Sequence, residues 1–198
     1  MIKLVFATNN AGKLEEIRSF AKKFNIEVLS PSDLKLSFSV NEDGKSYAEN
    51  ALLKMHALMS QITDEQLWVA GDDSGIGIDA LGGAPGISTR RWAGYEMSDQ
   101  EIIDYTLSSL KGLPKAKRTA HFNSVVAIGK LNSEPKIFKG RVSGYILDKP
   151  NKRISLQPGL PFRNLFHTDE GRYLGHNLNS ANHRQQAFKQ IFEYISAQ

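Results

Sequence analysis

The chain opens with a short apolar run, residues 2–7, bounded at once by Thr8-Asn9-Asn10-Ala11-Gly12. A run of that length, rich in Ile, Leu and Val, predicts a buried strand, and the polar segment after it predicts a turn. Leu14, Ile17, Ala21 and Phe24 then recur at the spacing of one helix face, and residues 26–29 predict a second strand. Residues 31–45 are polar and loop-like, with a short strand at 36–40. Ser46-Tyr47-Ala48-Glu49 has the form of a capping box. It opens a helix whose apolar face is Ala48, Ala51, Leu52, Met55, Leu58, Met59 and Ile62. Residues 67–71 predict a buried strand that ends at Asp72-Asp73-Ser74-Gly75, with residues 76–81 extending it after a kink. Ser98-Asp99-Gln100-Glu101 is a second capping box, for a helix to about Leu110. Residues 121–128, 136–139 and 142–147 predict strands of an antiparallel region, and 148–153 and 157–164 predict loops. A last helix over 181–196 turns Ala187, Phe188, Ile191, Phe192 and Ile195 inward. Strand–helix units followed by a run of strands predict a mixed α/β architecture.

Composition narrows this picture. The 198 residues suffice for one domain with a real core, divided into two lobes. No apolar run approaches the roughly 20 residues that span a bilayer, so no membrane role is expected. The chain has no cysteine, which excludes disulfides, thiolate metal sites and a cysteine nucleophile and fits a reducing cytoplasm. The net charge of +4 suits an anionic small substrate, and solubility alone explains it equally well.

Four segments carry candidate chemistry. Thr8-Asn9-Asn10-Ala11-Gly12-Lys13 joins a strand to a helix, which gathers backbone N–H groups and a positive helix end at one point. Lys13 adds a cation for a phosphate, and Thr8, Asn9 and Asn10 add neutral donors. The same residues also suit a plain turn. Asp72-Asp73-Ser74-Gly75 sets two carboxylates at a strand end, where ligands sit in open α/β sheets. One of them is placed to hold Mg²⁺ and to deprotonate a water; an Asp capping the following turn is the plainer reading. Asn41-Glu42-Asp43-Gly44 precedes the helix bearing Glu49, Asn50 and Lys54. Glu42 offers a second metal ligand and Lys54 a second cation, although Glu49 is accounted for as a capping residue and a solvated Lys54 is equally natural. His183-Arg184 places two cations at a positive helix end, which an anionic ligand would relieve; a solvated surface pair is the bland alternative.

Together and in this order, these segments resemble the inosine/xanthosine triphosphate pyrophosphatases. The likeness runs through Val5 to Glu16, Glu42 to Lys54, Asp72 to Gly75, Asp79 to Ile87 and Arg91 to Gly94. The resemblance implies an elongated, mixed-sheet α/β fold of two lobes with a central nucleotide cleft. It implies hydrolysis of a nucleoside triphosphate to monophosphate and pyrophosphate with Mg²⁺, and a homodimer that clears deaminated purine nucleotides. It places Thr8, Asn9, Asn10, Ala11, Gly12, Lys13 and Lys54 on the triphosphate, makes Asp73 metal ligand and general base, and puts Ser74, His183 and Arg184 on the substrate. Some positions depart from the pattern. Asn41 stands where an acidic residue is usual. Gly159-Leu160-Pro161-Phe162-Arg163-Asn164 replaces a Gly-Phe-Gly-Tyr-Asp-Pro base loop, Leu178 stands where a base-contacting Lys is usual, and Asn182 replaces a Ser. Phe162 and Phe166 remain as rings to stack on a base, and Arg163 as a polar contact.

Two other classes compete. A nucleotide-binding protein that does not hydrolyse is motivated by Asn41 and the rewritten base loop. A nucleic-acid module would use Arg90, Arg91, Lys111, Lys115, Lys117 and Arg118, but these form no long basic run and no stacking aromatics are interleaved among them, so no nucleic-acid partner is expected.

Overall fold

β1 (Ile2–Phe6) lies parallel to β2 (Ile26–Leu29) on one side and to β3 (Trp68–Ile78) on the other, so that Leu4 is level with both Val28 and Trp68. The computed structural model describes residues 1–155, 158–169 and 182–198. The sheet has six strands in the order β2-β1-β3-β4-β5-β6, where β4 is Thr119–Gly129, β5 is Lys136–Ile146 and β6 is Phe166–Thr168. β5 and β6 run antiparallel, which makes the sheet mixed. Four α-helices accompany it among the described residues: α1 (Ala11–Ala21), α2 (Tyr47–Met59), α3 (Asp99–Ser109) and α4 (His183–Ser196).

The chain folds into two compact units. The first comprises Met1–Ser74, Ser124–Gly140 and His183–Gln198, and the second Gly75–Asn123 and Arg141–Asn182. In the first unit, strand alternation sorts side chains onto two faces. Leu4, Phe6, Trp68 and Ala70 pack with Ile17 and Phe20 of α1 and Phe188, Ile191 and Phe192 of α4. Val5, Ala7 and Val69 point the other way and pack with Ala51, Met55 and Leu58 of α2. The second unit has its own core, where Ile76 and Ile78 meet Ile102 and Ile103 of α3 and Phe122, Phe162 and Phe166.

Helix starts follow from their caps. The Asn10 side chain accepts the Lys13 N–H and begins α1. Ser98 and Glu101 form a complete capping box at α3. At α2 only half of that motif forms: Ser46 accepts the Glu49 N–H, while the Glu49 carboxylate reaches one residue further back, to the Lys45 N–H at 2.7 Å.

Several boundaries differ from the sequence reading. Residues 36–40 form no strand. β3 does not stop before Asp72 but runs through it to Ile78, 11 residues in all. β5 likewise runs unbroken through Gly140 and Arg141, and β6 is an additional strand. α4 is described from His183; the start at residue 181 lies outside the described residues, as does Leu178.

Candidate active site

Because β3 continues, Asp72 and Asp73 are neighbours in mid-strand and point to opposite faces of the sheet. They are only 2 % and 6 % exposed. Buried carboxylates need partners, and each finds its own set within the first unit.

Asp72 faces α1 and α4. Its Oδ2 accepts from Lys13 Nζ at 2.8 Å and from Arg184 Nε at 3.3 Å, and its Oδ1 accepts from Ser124 Oγ on β4 at 2.7 Å. Burial alone would raise its pKa, but Lys13 and Arg184 outweigh that and hold the carboxyl well below the usual carboxylate range. Arg184 also donates to Glu16 Oε2 at 2.6 Å and to Ser74 Oγ at 2.9 Å. Burial opposes its charge, and Glu16 and Asp72 restore it, so the guanidinium stays protonated. Lys13 pairs with Asp72; burial first, then Arg184 and Lys54, depress its pKa.

Asp73 faces α2. Its Oδ1 accepts from Lys54 Nζ at 3.1 Å and its Oδ2 from Asn50 Nδ2 at 3.1 Å. Lys54 Nζ also lies 2.5 Å from Glu42 Oε2. Burial pushes the pKa of Lys54 down, but Asp73 and Glu42 reverse this, and the lysine remains charged. Asp73 shares its lysine with Glu42, and burial leaves its own pKa raised.

Two glycines let these helices come so close. A Cβ on Gly71 would lie 2.2 Å from the Ala51 carbonyl oxygen, so α2 rests directly on β3 and carries Lys54 to Asp73. A Cβ on Gly140 would lie 1.9 Å from the His183 carbonyl oxygen, so the start of α4 rests on β5.

The structure therefore brings Lys13, Lys54, Asp72, Asp73, Ser74, Glu42 and Arg184 together in one unit. The loop before α1 is more committed than its composition suggested. Thr8 Oγ1 accepts the Asn10 N–H at 3.1 Å, Asn9 donates its amide to the Phe38 carbonyl at 2.9 Å, and Asn10 caps the helix. The side chains of Asn9 and Asn10 thus shape the loop, and the backbone N–H groups of Ala11 and Gly12 open the helix.

Three sequence readings need correction. His183 and Arg184 are buried, not a solvated pair, and they are not two cations. Burial and the Arg184 charge lower the His183 pKa well below its ordinary value, so the imidazole is neutral, while Glu16 and Asp72 relieve Arg184. Phe162 is 3 % exposed, with its ring edge-on to Phe122 in the second unit's core, and Phe166 is wholly buried there. Rings already packed in this way are not free platforms for a base. Arg118 is no surface cation; its guanidinium donates to the carbonyls of Ile146, Leu110 and Leu147. Arg163 lies in the second unit, its N–H turned to the Leu160 carbonyl at 3.2 Å.

Glu16, Asn50 and Ser124 were missed as site residues. Glu16 sits three residues after Lys13 on the same helix face, a spacing that could have signalled it. Ser124 showed only as a polar residue inside an apolar run.

The Ham1 family model matches residues 4–194. The chain is 30% identical over 202 residues to a dITP/XTP pyrophosphatase of Bacillus subtilis, covering 100% of this chain and 98% of that protein. It is 34% identical over 206 residues to a dITP/XTP pyrophosphatase of Vibrio parahaemolyticus, again covering 100% and 98%. Among solved structures it resembles a HAM1 protein from Coxiella burnetii, with a TM-score of 0.81, 26% identity and 100% of each chain covered.

Proposed function

The chain belongs to the Ham1 family, and from that premise we propose that it hydrolyses nucleoside triphosphates to monophosphate and pyrophosphate. The observation that carries this is the mid-strand pair Asp72-Asp73, which gathers Lys13, Arg184 and Lys54 from three helices around two buried carboxylates. Relatives named dITP/XTP pyrophosphatase support a non-standard purine triphosphate as the substrate class.

Lys13, Arg184 and the opening N–H groups of α1 bind the polyphosphate. Burial, and after it the charges of Arg184 and Lys54, depress the Lys13 pKa, and an incoming anion favours its charged form. Asp73, with its raised pKa, takes the proton of the attacking water, and the α–β phosphoanhydride bond breaks to release pyrophosphate. Asp72 stays ionised and holds the cations. Glu42 and Asp73 fit a divalent cation: both are hard oxygen donors, and one oxygen of each already converges on the single ammonium of Lys54. Among the described residues no third acidic or His side chain joins them, which suits Mg²⁺, an ion that fills its shell with water and phosphate. When bound, Mg²⁺ supplies charge stabilisation to the departing pyrophosphate. Lys54, which lies against both carboxylates, would meet phosphate there.

The assay is pyrophosphate release from a panel of triphosphates with Mg²⁺. Tight binding without release would favour the non-hydrolysing alternative, which Asn41 and the rewritten base loop motivate. A cytoplasmic homodimer belongs to the same proposal. The dimer rests on the family resemblance, and the compartment on the cysteine-free chain, in which no described helix is long and apolar enough to cross a membrane. Sedimentation at micromolar concentration should show a dimer; a monomer there counts against it.

A further inference from the structure

We propose that Ser124 is a positioning residue for triphosphate binding, acting through Asp72 on Lys13. The inference rests on the reading of Lys13 as a phosphate ligand.

The geometry divides the Asp72 carboxylate in two. Oδ2 takes both cations, Lys13 at 2.8 Å and Arg184 at 3.3 Å, and the Ser74 hydroxyl at a longer 3.4 Å. Oδ1 takes the Ser124 hydroxyl at 2.7 Å. Rotation of a carboxylate about its last bond is soft, so a donor on one oxygen fixes where the other points. Ser124 is 0% exposed and sits on β4, beside β3 in the sheet, so it is a rigid donor. Lys13 and Arg184 come from different helices and repel each other, and Asp72 is the group that keeps them side by side. Arg184 is additionally held by Glu16 and Ser74, whereas Lys13 has Asp72 as its carboxylate partner. Losing the Ser124 hydroxyl should therefore disturb Lys13 first. A hydroxyl that merely satisfied a buried core would show no such bias toward one ligand.

The test is steady-state kinetics with inosine triphosphate and Mg²⁺ for Ser124→Ala, Ser124→Thr, Lys13→Ala and the double variant Ser124→Ala/Lys13→Ala, with melting curves for each. Ser124→Ala should raise KM about 3- to 10-fold, the size of one lost hydrogen bond. It should leave kcat within about twofold and lower the melting midpoint by about 2–10 °C, since it leaves a buried carboxylate oxygen without its donor. Ser124→Thr should restore KM. In the Lys13→Ala background the same serine change should add less than about twofold, since coupled residues are not additive. The proposal is overturned if Ser124→Ala leaves KM unchanged, or raises it by the same factor with and without Lys13. If Lys13→Ala itself leaves KM unchanged, the phosphate reading fails and takes this inference with it, a result distinct from the other two. Should Ser124→Ala not fold, Ser124→Cys keeps the volume, weakens the donor and carries the same comparison.

Discussion

Asp73 and Asp72 are adjacent in sequence and equivalent in type, yet their surroundings assign them different work. Asp72 meets two cations and a hydroxyl and is locked as an anion; Asp73 shares one lysine with Glu42 and has the raised pKa of a proton acceptor. Asp73→Asn should therefore abolish most hydrolysis, by about 10² to 10⁴ in kcat, because the amide cannot take the proton. Its melting curve should stay close to wild type, and near wild-type turnover would move the base to another residue. His183 gives a second expectation at this scale. Its pKa is lowered in the fold by burial and Arg184, so the unfolded chain binds a proton that the folded chain refuses. The stability from the neutral imidazole is fully present above the ordinary value of 6.5 and is lost as pH falls below it. Melting midpoints should fall from pH 7 toward pH 5, and His183→Gln should flatten that part of the profile. Asp72 contributes to acid loss only below its ordinary 3.8, so the two windows separate. An unchanged slope in His183→Gln would remove the buried imidazole from the account.

Helices were legible at the level of elements because their starts are written locally. Asn10, Ser46 and Ser98 are each followed by the backbone donor they cap. The long strands were not legible, for a reason visible at two positions. Asp72-Asp73-Ser74 looks like turn chemistry because a carboxylate in mid-strand is costly, but cations from α1, α2 and α4, distant in sequence, remove the cost. Gly140 looks like a strand break, but it is a strand residue stripped of its side chain so that α4 can land on it. The rings of Phe162 and Phe166 were assigned to a ligand because sequence cannot separate a stacking platform from a core residue. Gly71 follows the same logic as Gly140 and can be tested. Gly71→Ala puts a methyl 2.2 Å from the Ala51 carbonyl, in a contact made of backbone that cannot swing aside. Overpacking of this kind costs about 1–3 kcal/mol, or about 2–10 °C in melting midpoint for a chain this long. Activity should fall more than stability does, since α2 carries Lys54 and Asn50 onto Asp73. A variant with full activity and an unshifted melt would show that α2 need not sit so close.

For the whole molecule, the proposed function predicts that the residues assigned to phosphate keep the family pattern while those assigned to the base depart from it. A site rejects a wrong base by placing fixed donors and acceptors against its edge, which stay unpaired when that base enters. The family pattern implies a carboxylate in the base loop and a lysine after it; this chain has Arg163 and Leu178 at those positions. Arg163 removes an acceptor and reverses the charge, and Leu178, outside the described residues, removes a donor. Pro161 in place of a Gly restricts the loop backbone as well. Phe162 does not compensate by stacking, since its ring is committed to Phe122. With both polar readers gone, discrimination should flatten, or turn toward a base that offers acceptors to Arg163. Measured as kcat/KM across inosine, xanthosine, guanosine and adenosine triphosphates, the preference for the first two should stay at or below about 100-fold, the range left to contacts of shape alone. Arg163→Asp should sharpen it by restoring the acceptor. A wild-type preference of about several hundredfold or more for inosine or xanthosine triphosphate, beyond what shape alone gives, would overturn the argument and return base recognition to another acceptor, with Asp169 the acid nearest Arg163 along the chain.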